Sequence, residues 1–287
     1  MKNEVLYINH NSNIIISDSP TLLVNNRAFQ YGDGLFETMH AYSCEIQFFD
    51  LHIQRLQNGM NDLSINSNEL TQKDNIHREI NRLLQRNKHF KGTRVKLTIY
   101  RDSGGLFKPL ANNAGFLIET KSLENNFYRI NEKGLYIDVF KEMKKPINSL
   151  SKYKTCSSLL NVMAGIYAKK NNIDDCLILN ENEEIIEGYH SNLFLVKNNI
   201  LYTPPISSGC VMGIMRQQIL NIAHDAGLII NDNAIIYENT LFEADEIFLT
   251  NAIEGIRWVL AYKNRRYFNK ISKLLCDMLN TKTFPPK

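Results

Sequence analysis

Apolar residues along this chain recur at two spacings, and the order in which those spacings alternate constrains its fold more than any other feature. Alternating runs come first and in pairs: residues 4–8 with 13–17 around Asn9–Asn11, then Leu35–Tyr42 with Glu45–Phe49. Helical spacing follows. A segment opening at Asp50 as N-cap carries Ile53, Leu56, Met60 and Leu63 on one face, and a second over about 69–88 turns Ile76, Ile80, Leu83 and Leu84 inward. Strands near 93–101 and 114–120 close this part, and the polar run Lys121–Arg129 reads as a linker. Beyond it come a strand near 134–140, a helix near 156–171, a hairpin over about 175–203, a helix from Gly213 to His224, and strands near 228–237 and 245–250. This order predicts an α+β chain rather than the βαβ alternation of a doubly wound sheet. It divides into a small N-terminal domain over 1–120, an interdomain linker at 121–129 and a large C-terminal domain over 130–287.

Composition narrows the classes. With 287 residues, 44% hydrophobic and 22% charged, the chain can bury a sizeable core. Its 33 basic and 30 acidic residues leave a net charge of +3, which predicts partners other than nucleic acid or an anionic membrane. No apolar stretch approaches the roughly 20 residues of a membrane span, and the first residues lack a signal-peptide layout, so a cytoplasmic location is expected. The five cysteines, Cys44, Cys156, Cys176, Cys210 and Cys276, form no CxxC pair and read as small buried hydrophobes. His10, His40, His77, His89, His190 and His224 lack metal-ligand spacing, no metal is expected, and Thr281–Lys287 reads as a loosely held end. Neither GxGxxG nor GxxxxGK occurs.

Four segments carry candidate chemistry. Arg27–Thr38 (RAFQYGDGLFET) places two glycines in a tight turn that feeds a strand. His52–Gln57 (HIQRLQ) sets His52 and Arg55 one helical turn apart. In Ser151–Leu160 (SKYKTCSSLL), Lys154 precedes an apolar helix, a position where a lysine can be desolvated toward use as a nucleophile. Finally, Glu187 begins a strand, and Gly213 opens a helix whose free N–H groups could hold a phosphate.

Together, from about Tyr7 to Val259, these segments resemble the fold-type IV pyridoxal-phosphate (PLP) enzymes. That class includes branched-chain and D-amino-acid aminotransferases and 4-amino-4-deoxychorismate lyase. The resemblance implies a two-domain α+β fold like that of D-amino-acid aminotransferase, PLP as cofactor, a small-molecule amine substrate and a homodimer. It makes Lys154 the lysine that bonds the cofactor, with Lys152 passed over, and Glu187 the carboxylate beside the pyridine nitrogen. Arg55 and the backbone N–H groups of Ile214 and Met215 match the phosphate contacts. Ala252 stands where branched-chain aminotransferases carry a phosphate-binding threonine, so that contact is either replaced by Asn251 or lost. Tyr31, Phe36 and Arg101 match substrate-contacting positions.

Within the class, the wording of His52–Gln57, Gly213–Gln217 (GIMRQ) and Asn251-Ala252 resembles the lyase, and Thr38 stands where lyases carry a proposed catalytic threonine. Leu159 occupies the position of an aminotransferase tyrosine. The loop Arg101–Phe107 keeps an Arg-x-Ser-Gly-Gly frame but not the Arg-Gly-Tyr that usually ends it. The implied function is a lyase releasing 4-aminobenzoate and pyruvate from 4-amino-4-deoxychorismate. The alternatives are a branched-chain aminotransferase and, ranked lower, a PLP-binding protein that has lost its chemistry.

Overall fold

The computed structural model describes residues 5–19 and 21–285. By internal contacts the chain falls into two units: Met1–Asn126 with Tyr153–Ser158, and Phe127–Lys152 with Leu159–Lys287.

The first unit contains β1 (Tyr7–His10), β2 (Asn13–Ile16), α1 (Arg27–Tyr31), β3 (Gly34–Tyr42), β4 (Glu45–Ile46), α2 (Phe49–Asp62), α3 (Lys73–Arg86), β5 (Thr93–Arg101) and β6 (Ala114–Ser122). Its strands form a wholly antiparallel sheet in the order β2-β1-β6-β5-β3-β4. The β1–β2 turn is tight because Asn11 and Ser12 both take positive φ, which matches the twist of the flanking strands. α2 packs on β3, and α3 on β1 and β6. Val95, Leu97 and Ile99 alternate into the core while Ile53, Leu56, Met60, Ile76, Ile80 and Leu83 are buried on the helices. Each such side chain contributes about 2 kcal/mol relative to exposure.

The second unit contains β7 (Leu135–Lys145), α4 (Leu159–Lys170), β8 (Asp175–Asn180), β9 (Ile185–Gly188), β10 (Ser191–Lys197), β11 (Ile200–Tyr202), α5 (Ile214–Asp225), β12 (Ile229–Asn231), α6 (Glu238–Glu243), β13 (Glu246–Asn251), β14 (Gly255–Tyr262), β15 (Arg265–Arg266) and α7 (Lys270–Thr283). β9 pairs with both β8 and β10, so β10, β13, β14, β7, β8 and β9 close into a ring. Alternate residues of these strands, among them Leu135, Ile137 and Val139 with Leu177, Leu193 and Leu249, form one buried cluster. On the opposite face Phe194 and Phe248 stack at 5.1 Å; α5 packs against β13, and α7 against β13 and β14.

Several boundaries differ from the sequence reading, each for a local reason. α2 starts at Phe49 because Phe48 takes a left-handed conformation, and Asp50 sits in the first turn rather than at the cap. The stretch 69–88 splits where Gln72 is extended, leaving a 3-10 turn over Glu69–Thr71 before α3. Lys121 and Ser122 finish β6, and Tyr128 is buried and exchanges two hydrogen bonds with Asn280, so polar composition here does not mean a loose linker. The expected strand at 228–237 is a strand only over Ile229–Asn231. Thr281–Thr283 belong to α7, and Phe284 packs on Phe127 and Tyr128; Pro286 and Lys287 lie outside the described residues, as does Glu4 of the first hairpin.

The largest difference concerns Lys154. The sequence reading puts it in the C-terminal domain, whereas Tyr153–Ser158 packs with the first unit. Phe36 N–H donates to Lys154 O at 2.8 Å and Cys156 N–H donates to Gly34 O at 2.9 Å, which adds the segment to the start of β3. Among the described residues no helix is long and apolar enough to cross a membrane.

Candidate active site

The turn entering β3 is built locally. Asn26 caps α1 by accepting from Phe29 N–H at 3.2 Å, and Gly32 ends the helix in the left-handed region with φ 66°. A side chain at Gly32 would strike Ser157. β3 then turns Phe36 and Thr38 to one face and Glu37 to the other. Lys154 Nζ stands 4.7 Å from the centre of the Phe36 ring, and Lys96 Nζ stands 5.9 Å from it. Lys96 lies opposite Thr38 in the β3–β5 register, so the two side chains share that face, and Lys96 also pairs with Glu119 at 3.2 Å. Lys96 is absent from the sequence reading; the strand register is the signal that finds it.

On the other face, α2 brings His52 and Arg55 to Glu37. Arg55 Nε and Nη2 donate to the two Glu37 oxygens at 2.7 and 2.6 Å, and His52 Nδ1 meets Oε2 at 2.6 Å. All three are buried. Burial pushes the Glu37 carboxyl up, but the charge of Arg55 and the bond to His52 outweigh it and hold the group at about 2. Burial drives His52 down, only partly opposed by Glu37, so its ring is neutral and Nδ1–H is the donor. His52 Nε2 is buried without a partner.

Arg101 departs from its expected role. Its five N–H donors are all committed to protein: Nε to Asp33 Oδ2 (2.9 Å), Nη1 to Ser64 O (3.0 Å) and Asn112 Oδ1 (2.5 Å), and Nη2 to Asp33 Oδ1 (3.3 Å) and Leu63 O (2.7 Å). It is a pin under the loop, not a substrate ligand. Arg27 shares Asp33 and donates to the carbonyls of Gly105 and Leu106. Tyr31 lies against Phe107 at 5.5 Å with the Arg27 guanidinium over its ring, which ties it to the same loop.

The second unit holds the remaining candidates. Glu187 is buried; Oε1 accepts from Lys145 Nζ at 2.6 Å and Oε2 from Val211 N–H at 2.8 Å. Gly213 precedes α5, and no side chain caps the helix, so its first turn presents the N–H groups of Ile214 and Met215. A side chain at Gly213 would collide with Asn192 Oδ1. Asn251 is partly committed to its own turn. Its Oδ1 accepts from the N–H groups of Ile253 and Glu254, and its Nδ2 donates to Glu254, so the side chain folds into its own turn. The neighbouring Thr250 hydroxyl is buried with no partner.

This donor set fits a phosphorylated pyridine cofactor. The uncapped first turn of α5, with its free N–H groups, suits a phosphate. The buried Glu187 carboxylate, whose position Lys145 and Val211 fix, suits a protonated ring nitrogen.

The two units and these groups are those of a fold-type IV PLP enzyme. The chain belongs to the amino-transferase class IV family, whose model matches residues 34–262. A protein assigned as a branched-chain-amino-acid aminotransferase in Methanocaldococcus jannaschii is 26% identical over 258 residues, spanning 84% of this chain and 82% of that protein. An aminodeoxychorismate lyase of Bacillus subtilis is 29% identical over 239 residues, spanning 79% and 77%. The crystal structure of a branched-chain aminotransferase from Thermoproteus uzoniensis with norvaline shares the fold with a TM-score of 0.87 at 18% identity, over 96% of this chain and 94% of that one. The protein is thus a PLP-dependent enzyme acting on small amine or amino-acid substrates. The special closeness to the lyase expected from the motifs is not favoured by these comparisons.

Proposed function

We propose that the enzyme is a 4-amino-4-deoxychorismate lyase. The observation that carries this reading is the face of β3 and β5 on which Phe36, Thr38 and Lys96 accompany Lys154. An aromatic platform, a hydroxyl and an ammonium group suit a flat, carboxylate-bearing ring better than a branched aliphatic side chain.

PLP, when bound, supplies an electrophilic carbonyl and a ring that accepts electron density. Lys154 Nζ would hold the cofactor and, once the substrate amine displaces it, would take the proton from the substrate carbon that bears nitrogen. Thr38 Oγ1 donates a proton to the departing enolpyruvyl oxygen, Lys96 Nζ holds a carboxylate, and the Phe36 ring excludes water beside the amine. Glu187 keeps the pyridine nitrogen protonated. Arg55, oriented by Glu37, and the N–H groups of Ile214 and Met215 bind phosphate.

A second reading, an aminotransferase for branched-chain amino acids, has the better support from the comparisons, in which such enzymes match at least as well as lyases. In that reaction Lys154 would carry the same proton, and no substituent would leave the substrate. The test is release of 4-aminobenzoate from 4-amino-4-deoxychorismate by the PLP-loaded protein, run beside transfer of nitrogen from leucine to 2-oxoglutarate. Release that vanishes in Thr38→Val supports the lyase; transfer without release selects the aminotransferase.

We also propose a homodimer. α4 leaves Leu159, Val162 and Ile166 exposed on one helical stripe, at 67, 54 and 54%, as a surface for a second copy. Sedimentation of the wild type against Val162→Lys tests it.

A further inference from the structure

We infer that Thr250, rather than Asn251, supplies the side-chain hydroxyl of the phosphate cup, an inference that rests on reading the start of α5 as the phosphate site. Thr250 stands opposite Asn192 across the antiparallel β10–β13 pair, so both side chains lie on one face of the sheet. Asn192 identifies that face. Its Nδ2 donates to Val211 O at 2.8 Å, and its Oδ1 occupies the space a β-carbon at Gly213 would need. α5, which begins beside Asn192, also packs against β13. Thr250 is therefore on the side where α5 begins, 1% exposed, with an Oγ1 that has no hydrogen-bond partner.

A buried hydroxyl without a partner has lost its bonds to water and gained none. A phosphate oxygen only accepts hydrogen bonds, and the atoms gathered here complement it: backbone N–H groups of an uncapped helix and one O–H. Asn251 is drawn toward its own turn, with Oδ1 taking the N–H groups of Ile253 and Glu254 and one Nδ2 hydrogen given to Glu254, whereas the Thr250 hydroxyl makes no bond at all. The hydroxyl one position earlier, in the strand, takes over the contact.

The experiment compares wild type, Thr250→Val and Thr250→Ser as apo proteins titrated with PLP and with pyridoxal, which lacks the phosphate. Binding is followed by the absorbance of the lysine-linked cofactor. Valine keeps the shape and β-branching of threonine, so the fold is retained. Thr250→Val should weaken PLP binding about tenfold or more, the effect of one lost hydrogen bond to a charged group, and leave pyridoxal binding within about twofold. Thr250→Ser should keep wild-type affinity for both. With its orphan hydroxyl removed, apo Thr250→Val should also melt at a higher temperature than apo wild type, a gain opposite in sign to the loss of PLP affinity. Unchanged PLP affinity in Thr250→Val, or equal losses for PLP and pyridoxal, overturns the inference. A wild type that binds PLP no better than pyridoxal removes the phosphate site itself, and Thr250 with it.

Discussion

Glu37 grips Arg55 through both carboxylate oxygens, at 2.7 and 2.6 Å, inside the first unit and out of reach of bulk water. The arginine expected from sequence to hold a phosphate is thus already oriented by a fixed counter-charge. His52, one turn earlier on α2, shares the same carboxylate and locks helix to strand. Nε and Nη2 point at Glu37, which sets the plane of the guanidinium before any ligand arrives.

Glu37→Gln should be strongly destabilising, by about 3–5 kcal/mol, because it leaves the buried Arg55 cation without its counter-charge. The effect depends on pH with a definite sign. The folded-state value, about 2 against an ordinary 4.5, is depressed, so the stabilisation is complete above about pH 4.5 and is lost as pH falls toward 2. Urea unfolding of both proteins should show a constant gap from pH 7 to 5 that closes below it. A gap that stays constant down to pH 2.5 refutes the linkage.

The helical faces of α2 and α3 are legible in the sequence because apolar spacing alone reports which side is buried. Lys154, Glu187 and Gly213 are singled out in the sequence by motif order. Other features depend on pairings that no local pattern carries. The closing of β9 onto β10 and the placing of Lys96 opposite Thr38 follow from strand register. Arg101 looks like a ligand in sequence, and only its hydrogen bonds show that Asp33, Leu63, Ser64 and Asn112 hold all its donors. Thr250 reads as an ordinary strand residue until its buried hydroxyl is found without a partner.

Lys154→Ala should abolish the borohydride-reducible link to PLP and reduce turnover at least about a thousandfold, the scale of losing a positioned base. Lys152→Ala should keep the link, since it is Lys154 whose Nζ stands over the Phe36 ring. Reduction followed by peptide mass analysis reads both variants. A fully occupied link in Lys154→Ala ends the assignment of the nucleophile.

Asp175 offers a second pH test, of opposite sign. Burial pushes its carboxyl up to about 6 from 3.8, partly opposed by His190 and the N–H groups of Tyr189 and Cys176. A raised folded-state value means the folded protein holds the proton between those limits, so stability falls as pH rises through that window. The cost above pH 6 is about 3 kcal/mol. Asp175→Asn removes this slope and should gain on the wild type progressively from pH 4 to 6. Equal slopes for the two proteins in that interval rule it out.

Arg101→Lys separates a structural pin from a substrate ligand. Lysine has three donors and no planar fork, so at least two of the five bonds to Asp33, Leu63, Ser64 and Asn112 must be lost. The expected cost is about 2–4 kcal/mol of stability, from losing bonds made by a charged donor. Because Arg101 has no donor left for substrate, KM should change by less than about threefold, and equally for amine substrates with and without a second carboxylate. Urea unfolding and steady-state kinetics measure the two effects on the same preparation. Unaltered stability together with a KM raised more than about tenfold for the dicarboxylate alone would return Arg101 to the substrate site and require the loop to open in the working enzyme.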